Sequence, residues 1–406
     1  MELTILMPCL NEAATLATCI RKARGFLQRS RIDGEVLVAD NGSSDGSPGI
    51  AEAEGARVVH VANKGYGAAL ICGTNAASGR FVIMADSDDS YDFERLDRFV
   101  DELRSGSDLV IGNRFKGGVA PGAMPALHRY LGNPVLSFAG RLLFGSPVRD
   151  FHCGLRGFKR ESILALNLNC TGMEYASEMI VKATLNGLNV TEVPTTLSPD
   201  GRGRPPHLRS WRDGWRHLRF LLIHAPLWLF LYPGILIAGA GLAGMCAIGI
   251  APVEIGAVTL DIHTMLYAMV MFNAGLQMTF FAGASITHAV RIGMLPQMPA
   301  RLQWIDRVTL ENNLLAAVVL ALVGLALAAA SVWEWARVGF GGADPRQLMR
   351  MAIPAASLML TASQVFSSAF LLEFVRLTRS PATHHRADRN VQPMLHRPEL
   401  GTGSAF

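Results

Sequence analysis

Charge is scarcest in the second half of this sequence. Four stretches, 225–253, 264–287, 312–333 and 351–372, contain no Asp, Glu, Lys or Arg, and each exceeds the ~20 residues that carry a helix across a bilayer. Half of the residues are hydrophobic and the mean hydropathy is +0.27, which excludes an ordinary soluble protein of this length. Cysteine is also sparse. The six present (Cys9, Cys19, Cys72, Cys153, Cys170, Cys246) include no C-x-x-C pair, which argues against a zinc site and fits reduced thiols in the cytoplasm. No G-x-G-x-x-G and no G-x-x-x-x-G-K-[ST] occurs, which argues against dinucleotide oxidoreductases and P-loop enzymes. The start, Met1-Glu2-Leu3-Thr4, has no basic residue, and its apolar run reaches only Leu10 before Asn11-Glu12. No secretory leader is therefore expected, and the first domain is expected to stay in the cytoplasm.

What is present before residue 220 is an alternation of short apolar runs and amphipathic segments. Apolar runs at 3–8, 35–39, 57–61, 81–85 and 109–112 read as strands; helical spacing at 13–27, after Gly46, from Gly65 and at 93–103 separates them. The expected fold is α/β, a mostly parallel, doubly wound sheet. Polar clusters recur where these strands end: Asn11-Glu12, Asp40-Asn41, then Asp86 and Asp88. Carboxylates crowded at a strand end repel one another, and a hard divalent cation relieves that while seeking further oxygen ligands from phosphate. The bland alternative for an isolated D-x-D is a polar turn before the next helix. Three such clusters on one sheet edge favour recognition of a base and ribose, with a metal holding a diphosphate.

Six segments in order resemble the GT-A glycosyltransferases, specifically the dolichyl-phosphate (polyprenyl-phosphate) mannose and glucose synthases. They are Met7-Pro8-Cys9-Leu10-Asn11-Glu12, Val38 to Gly46, Asn63 to Ala69, Met84-Ala85-Asp86-Ser87-Asp88, Gly112-Asn113-Arg114-Phe115, and Asp150 to Phe158. The resemblance covers about residues 3 to 220 and implies a GT-A domain and an inverting, metal-dependent transfer. The sugar would pass from a nucleotide-diphosphate sugar to a polyprenyl phosphate, with Mg²⁺ or Mn²⁺ as cofactor. It implies nucleotide contacts from Pro8, Leu10, Glu12, Asp40 and Asn41, and metal ligation by Asp86 and Asp88. It also implies lipid-phosphate contacts from Arg114, Arg129, Asn133, Arg202 and Arg204, with Arg114 counted among the catalytic residues. Asn41 stands where many members carry a second aspartate, and Ser90 where some carry a glutamine metal ligand, for which Asp89 is a candidate replacement. Asn133 before Pro134 also reads as a helix N-cap. Arg156, Glu174 and Glu178 have both structural and site readings. Cys153 reads as a small buried residue.

Leu208, Trp211, Trp215, Leu218 and Leu222, with Arg209, Arg212, Arg216 and Arg219 on another face, predict an interfacial helix of tryptophans at headgroup depth and arginines toward anionic lipid. A nucleic-acid-binding helix is the rival, and the spans that follow at once exclude it. The expected domains are a cytoplasmic GT-A domain at 1–205, the interfacial helix at 206–224, four spans within 225–375, and a basic, disordered tail at 376–406. The loop 254–263 has two acids and no Lys or Arg, whereas 288–311 and the tail are basic, which places both termini in the cytoplasm; Arg337, Arg346 and Arg350 count against this. Asn273, Gln277 and Gln364 are read as interhelical hydrogen-bonding groups. Two other functions fit the same features: a polysaccharide-synthesising transferase, although no Q-x-x-R-W occurs, and a non-catalytic lipid-carrier flippase or assembly partner. Membrane lipids are expected partners, nucleic acid is not, and a homo-oligomer is left open.

Overall fold

A computed structural model describes residues 1–201 and 210–377. Two compact units divide the chain, the first running from Met1 to Leu229 and the second beginning at Phe230. The basic tail and the segment holding Arg202 and Arg204 lie outside the described residues.

The first unit is a seven-stranded sheet. Its strands are β1 (Leu3–Cys9), β2 (Gly34–Asp40), β3 (Arg57–His60), β4 (Phe81–Met84), β5 (Leu109–Asn113), β6 (Arg156–Lys159) and β7 (Val190–Pro194). Their order is β3-β2-β1-β4-β6-β5-β7. Every pair is parallel except those of β6, which runs antiparallel between β4 and β5. The near-continuous burial of β1, β2, β4 and β5 follows from apolar runs covered on both faces. Helices α1 (Leu16–Arg29), α2 (Ser47–Ala53), α3 (Tyr66–Ala76) and α4 (Asp97–Arg104) connect these strands, followed by a single turn, α5 (Arg114–Gly117). Then come α6 (Asn133–Phe144), α7 (Arg160–Ala165), α8 (Tyr175–Leu185) and α9 (Ser210–Ile223). Strands β2 and β4 flank β1 on opposite sides, so the chain reverses direction across the sheet there, and the crevice at the carboxyl ends of these strands is where such sheets place ligands.

The last residues of the segment 150–158 form β6 in the middle of the sheet. One expectation is corrected: Asn133 is not the N-cap of a helix but lies within helical backbone. Helical structure runs into it from residue 126, and a π turn at His128–Gly132 lets the Asn133 N–H bond the His128 carbonyl. Pro134 lacks an N–H and would crowd the carbonyl four residues back, and the widened turn accommodates it.

Among the described residues four helices are long and apolar enough to cross a membrane: Leu227–Ile250, Ile262–Arg291, Leu310–Arg337 and Pro345–Leu377. We label their α-helical parts α10 (Tyr232–Ile250), α11 (Ile262–Arg291), α12 (Leu310–Arg337) and α13 (Pro345–Leu377). Helices α10 and α11 meet backbone to backbone at Gly234, Gly241 and Gly275, where a Cβ would strike the opposing main chain. Asn273 links α11 to α13 through Ser357 Oγ (2.9 Å) and the Thr361 hydroxyl (3.3 Å), and Gln364 donates to the Asn273 carbonyl (3.3 Å). Three arginines that counted against the charge rule are matched locally. Arg350 and Arg346 lie 2.9 and 3.5 Å from Asp261, and Arg337 lies 3.2 Å from Glu334.

Candidate active site

The acidic residues of the D-x-D follow β4 directly. Thr15 of the β1–α1 loop donates to the Ser87 carbonyl (2.7 Å), and Ser87 donates in turn to the Pro8 carbonyl (2.8 Å), tying the acidic loop to the end of β1. From the other side, Gly201 N–H bonds the Asp88 carbonyl and Ser198 N–H the Ser90 carbonyl, each at 3.0 Å. Asp88 is buried, and its Oδ1 accepts from Ser90 N–H (3.0 Å) and Ser90 Oγ (2.6 Å). The Tyr66 hydroxyl, at the start of α3, hydrogen-bonds Asp86. Gly154 abuts the same carboxylate, since a Cβ there would lie 2.6 Å from Asp86 Oδ2.

Asp86 and Asp88 line a cavity of about 470 Å³ in the first unit, together with Tyr66, Arg114, His128, Asn133, His152, Asp213 and His217. Arg114 is nearly buried and grips the fully buried Asp150 with Nε and Nη2 at 2.8 and 2.7 Å. This uses two of its five N–H donors and fixes the plane of the guanidinium. Cys153, adjoining this cluster, is fully buried, and burial pushes its thiol up to about 12. It therefore stays protonated, as a structural cysteine does.

A divalent cation fits the two carboxylates. Both carboxylates line the cavity, Asp88 with its Oδ1 engaged by Ser90, and the bare Cα of Gly154 leaves room beside Asp86. Among the described residues no group of three or more His, Cys, Asp or Glu is placed to hold a metal, so the remaining ligands would be substrate or solvent oxygens.

The other predicted residues are placed as follows. Pro8, Leu10, Glu12, Asp40 and Asn41 lie at the carboxyl ends of β1 and β2, on the same edge of the sheet as the D-x-D. Asp40 turns back on its own loop, accepting from Gly42 N–H (3.3 Å) and Ser43 N–H (3.2 Å), with His60 Nδ1 at 3.4 Å. Asn41 clips two loops together, donating to the Asn63 carbonyl (2.8 Å) and accepting from Gly65 N–H (2.7 Å). Its side chain thus fastens the entrance to α3, a use that spacing alone did not reveal. Asp89 is not aimed at the cavity: in a left-handed conformation (φ 62°), it pairs with Lys22 of α1 at 2.6 Å. Arg129 does not join Arg114 in the cavity. It lies over the Tyr130 ring at 5.5 Å, while its π-turn neighbours His128 and Gly132 line the wall. Asn133 reaches the cavity and donates to Met124 Sδ at 3.5 Å. Arg156 is wholly buried and donates to the carbonyls of Cys153, Phe151 and Ala176 (2.9, 2.8 and 2.7 Å), and it also lines the cavity, so both of its readings meet in one place. Glu178 is likewise internal, accepting from the Asn169 and Cys170 N–H groups and pairing with Lys182 at 2.8 Å.

Sequence reasoning missed His128, His152, Asp213 and His217. For the last two a signal existed. They stand four apart on α9, whose outer face carries Trp211 and Trp215, so they share the face turned to the domain. Helix α9, read in the sequence as an interfacial segment, belongs to the first unit and packs on α6 and α8.

Comparison with known proteins agrees with this architecture. Residues 4–166 match the model of glycosyl transferase family 2, and residues 283–376 match the glycosyltransferase family 2 C-terminal transmembrane region. The chain is similar to the low-salt glycan biosynthesis hexosyltransferase Agl6 of Haloferax volcanii, with 36% identity over 83% of this chain and 81% of that one. A dolichyl-phosphate hexose transferase of the same organism is 34% identical over 39% of this chain and 68% of its own. Among solved structures, the Mycobacterium tuberculosis glucosyl-3-phosphoglycerate synthase bound to Mn²⁺, UDP and glucosyl-3-phosphoglycerate shares 24% identity over 56% of this chain and 78% of its own, with a TM-score of 0.43. With a GT-A-like sheet followed by four long apolar helices, this chain belongs to glycosyltransferase family 2 and is a membrane glycosyltransferase.

Proposed function

We propose that the enzyme transfers a hexose from a nucleotide-diphosphate sugar to a polyprenyl (dolichyl or undecaprenyl) phosphate at the cytoplasmic face of the membrane, with inversion at the anomeric carbon. The observation that carries this reading is the meeting of paired carboxylates and an oriented arginine in one cavity: Asp86 and Asp88 with Arg114. Two phosphorylated substrates repel each other, and joining them needs fixed positive charge on both. A phosphate monoester has a second pKa near ~6, so the attacking oxygen is already ionised at neutral pH and needs no protein base. Arg114, held by Asp150, would align that phosphate, with Asn133 beside it and Arg202 and Arg204 completing the set of polar contacts. Glu12 and Asp40 would hold the base and ribose at the ends of β1 and β2. A divalent ion on Asp86 and Asp88 would offset charge on the departing diphosphate.

The acceptor class is supported by the related dolichyl-phosphate hexose transferase and by the surface of the first unit. Helix α6 is inside out. Its small residues Ser137 and Gly140 pack inward, whereas Val135, Phe138 and Leu142 are exposed, as are Trp211 and Trp215 on the neighbouring α9. Two packed helices that turn apolar side chains outward suit a bilayer surface. The cytoplasmic orientation is supported by the basic loop 288–311, with Arg291, Arg301 and Arg307, against the loop 254–263, which has no Lys or Arg.

The test is transfer by the purified protein in liposomes, from a panel of labelled UDP- and GDP-sugars to undecaprenyl and dolichyl phosphates, with Mg²⁺ or Mn²⁺ added. One donor should label the lipid, and Asp86→Asn and Asp88→Asn should each abolish labelling. Lipid left unlabelled by every donor would remove the proposal.

A further inference from the structure

The loop between α6 and β6 places two contacts within five residues. Asp150 holds Arg114, Gly154 abuts Asp86, and His152 lies between them. Two residues of chain span at most about 7 Å, so His152 stands between the arginine proposed for the acceptor phosphate and the carboxylate proposed for the donor's metal. The group in flight between those two phosphates is the sugar.

His152 has an unusual environment for that position. Both of its ring nitrogens are shielded from water and have no hydrogen-bond partner among the described residues, although the residue lines the cavity. Buried imidazoles are ordinarily paired, and an unpaired one points to a partner that arrives with the ligand. A half turn of the ring about Cβ–Cγ exchanges its nitrogen and carbon edges with little change in volume, so either edge can be presented. The ring stands edge-on to His217 of α9, with centroids 4.5 Å apart and planes at 88°. His217 Nδ1 is taken by Ser177 Oγ at 2.9 Å, which leaves Nε2 for a ligand. One turn earlier on α9, Asp213 lines the same cavity, balanced by Arg212 and Arg216 at 3.6 and 3.8 Å. Burial holds both imidazoles neutral at ordinary pH. A neutral imidazole both donates and accepts, which matches a sugar hydroxyl better than a phosphate.

We propose that His152, His217 and Asp213 form the sugar-reading wall of the cavity, hydrogen-bonding hydroxyls of the transferred hexose and setting which epimer is accepted. The inference rests on the hexosyl-transfer reading above and adds to it the residues that choose the hexose. A site built to bond a hydroxyl discriminates by its geometry, because the wrong epimer leaves buried polar groups unmet.

The test compares kcat/KM for epimeric donors, UDP-glucose against UDP-galactose and GDP-mannose against GDP-glucose, in the full-length enzyme and in His152→Leu, His217→Asn and Asp213→Asn. Affinity for the bare nucleoside diphosphate and the thermal midpoint are followed in parallel. His152→Leu should keep the midpoint, since it removes two unmet polar atoms. It should also reduce the epimer ratio by about tenfold or more, as the other two variants should, with nucleoside-diphosphate affinity within about twofold of the parent. If every donor falls by one common factor, or the ratio does not move, the wall has no part in choosing the sugar. If the parent enzyme transfers from none of these donors, the hexosyl-transfer reading falls and takes this one with it.

Discussion

Arg114 and Asp150 form a two-pronged ion pair at 2.8 and 2.7 Å, in a place where neither side chain is more than a tenth exposed. Its geometry is good, yet its removal is asymmetric. Asp150→Ala leaves the guanidinium buried and uncompensated, which costs about 3–5 kcal/mol. The variant should therefore lose much of the stability of the catalytic unit, visible as a drop in thermal midpoint. Arg114→Lys keeps the charge but lacks the planar fork, so it should fold and yet transfer at least about tenfold more slowly. Equal stability of Asp150→Ala and the parent would contradict the pairing.

Gly154 matters through the space it leaves. A methyl group there would sit 2.6 Å from Asp86 Oδ2 and 3.2 Å from the Tyr91 ring. The carboxylate is the mobile partner and would swing away, taking with it one of the two proposed metal ligands. Gly154→Ala should lower transfer about tenfold or more and raise the Mn²⁺ concentration needed for half-maximal rate, while shifting the midpoint by only a few degrees. A titration of activity against Mn²⁺ checks this, and an unchanged midpoint of that titration would count against metal binding by Asp86.

Acid sensitivity follows from the buried histidines. Burial, partly opposed by Asp213, holds His217 down at about 4, and His152 lies well below its usual range. In the unfolded chain both take up protons near ~6.5. Between those values the unfolded state binds more protons than the folded one, so stability rises with pH across this window. The contribution is present above about pH 6.5 and is lost as pH falls toward 4, with a ceiling of order 3 kcal/mol for His217. The thermal midpoint should fall on acidification from about pH 7 to about pH 4.5, and His217→Asn should flatten that slope. An identical slope in the variant would show that other groups cause the acid response.

The parts of this architecture legible in the sequence are those that depend on local pattern. Apolar runs covered on both faces, such as Phe81–Met84, and uncharged runs longer than a bilayer announce themselves in one dimension. The parts that escaped depend on partners far away in sequence. Strand β6 is only Arg-Gly-Phe-Lys, too short to read as a strand, and the three carbonyls from residues 151, 153 and 176 that its arginine meets leave no trace in one dimension. Asn41 reads as a ligand in the sequence, and that its amide also ties Asn63 to Gly65 needs the fold to be seen. Asn133 reads as a helix start because a π turn that makes room for Pro134 leaves no mark in the composition. Asp213 and His217 lay hidden in a segment whose tryptophans and arginines pointed to lipid, and their place in the cavity wall needs the fold to be seen.

Trp211 and Trp215 are 80% and 58% exposed on α9, and Tyr130 and Phe138 are 73% and 57% exposed on the neighbouring helical segment. In water such a surface would be a liability, and the folded unit gains almost nothing from these side chains. Exposed substitutions normally change stability by no more than about 0.5 kcal/mol. Trp211→Asp combined with Trp215→Asp should therefore leave the detergent-solubilised enzyme as stable as the parent. At a bilayer the outcome should differ, because aspartate at headgroup depth opposes anionic lipid where tryptophan is favoured. In liposomes the double variant should need several-fold more polyprenyl phosphate for half-maximal transfer, with KM for the sugar nucleotide unchanged. The comparison separates a membrane-facing role from a structural one, since loss of packing would raise both constants and lower the midpoint in detergent. Equal dependence on the lipid acceptor in parent and variant would mean that the exposed face of α9 does not meet the bilayer during catalysis.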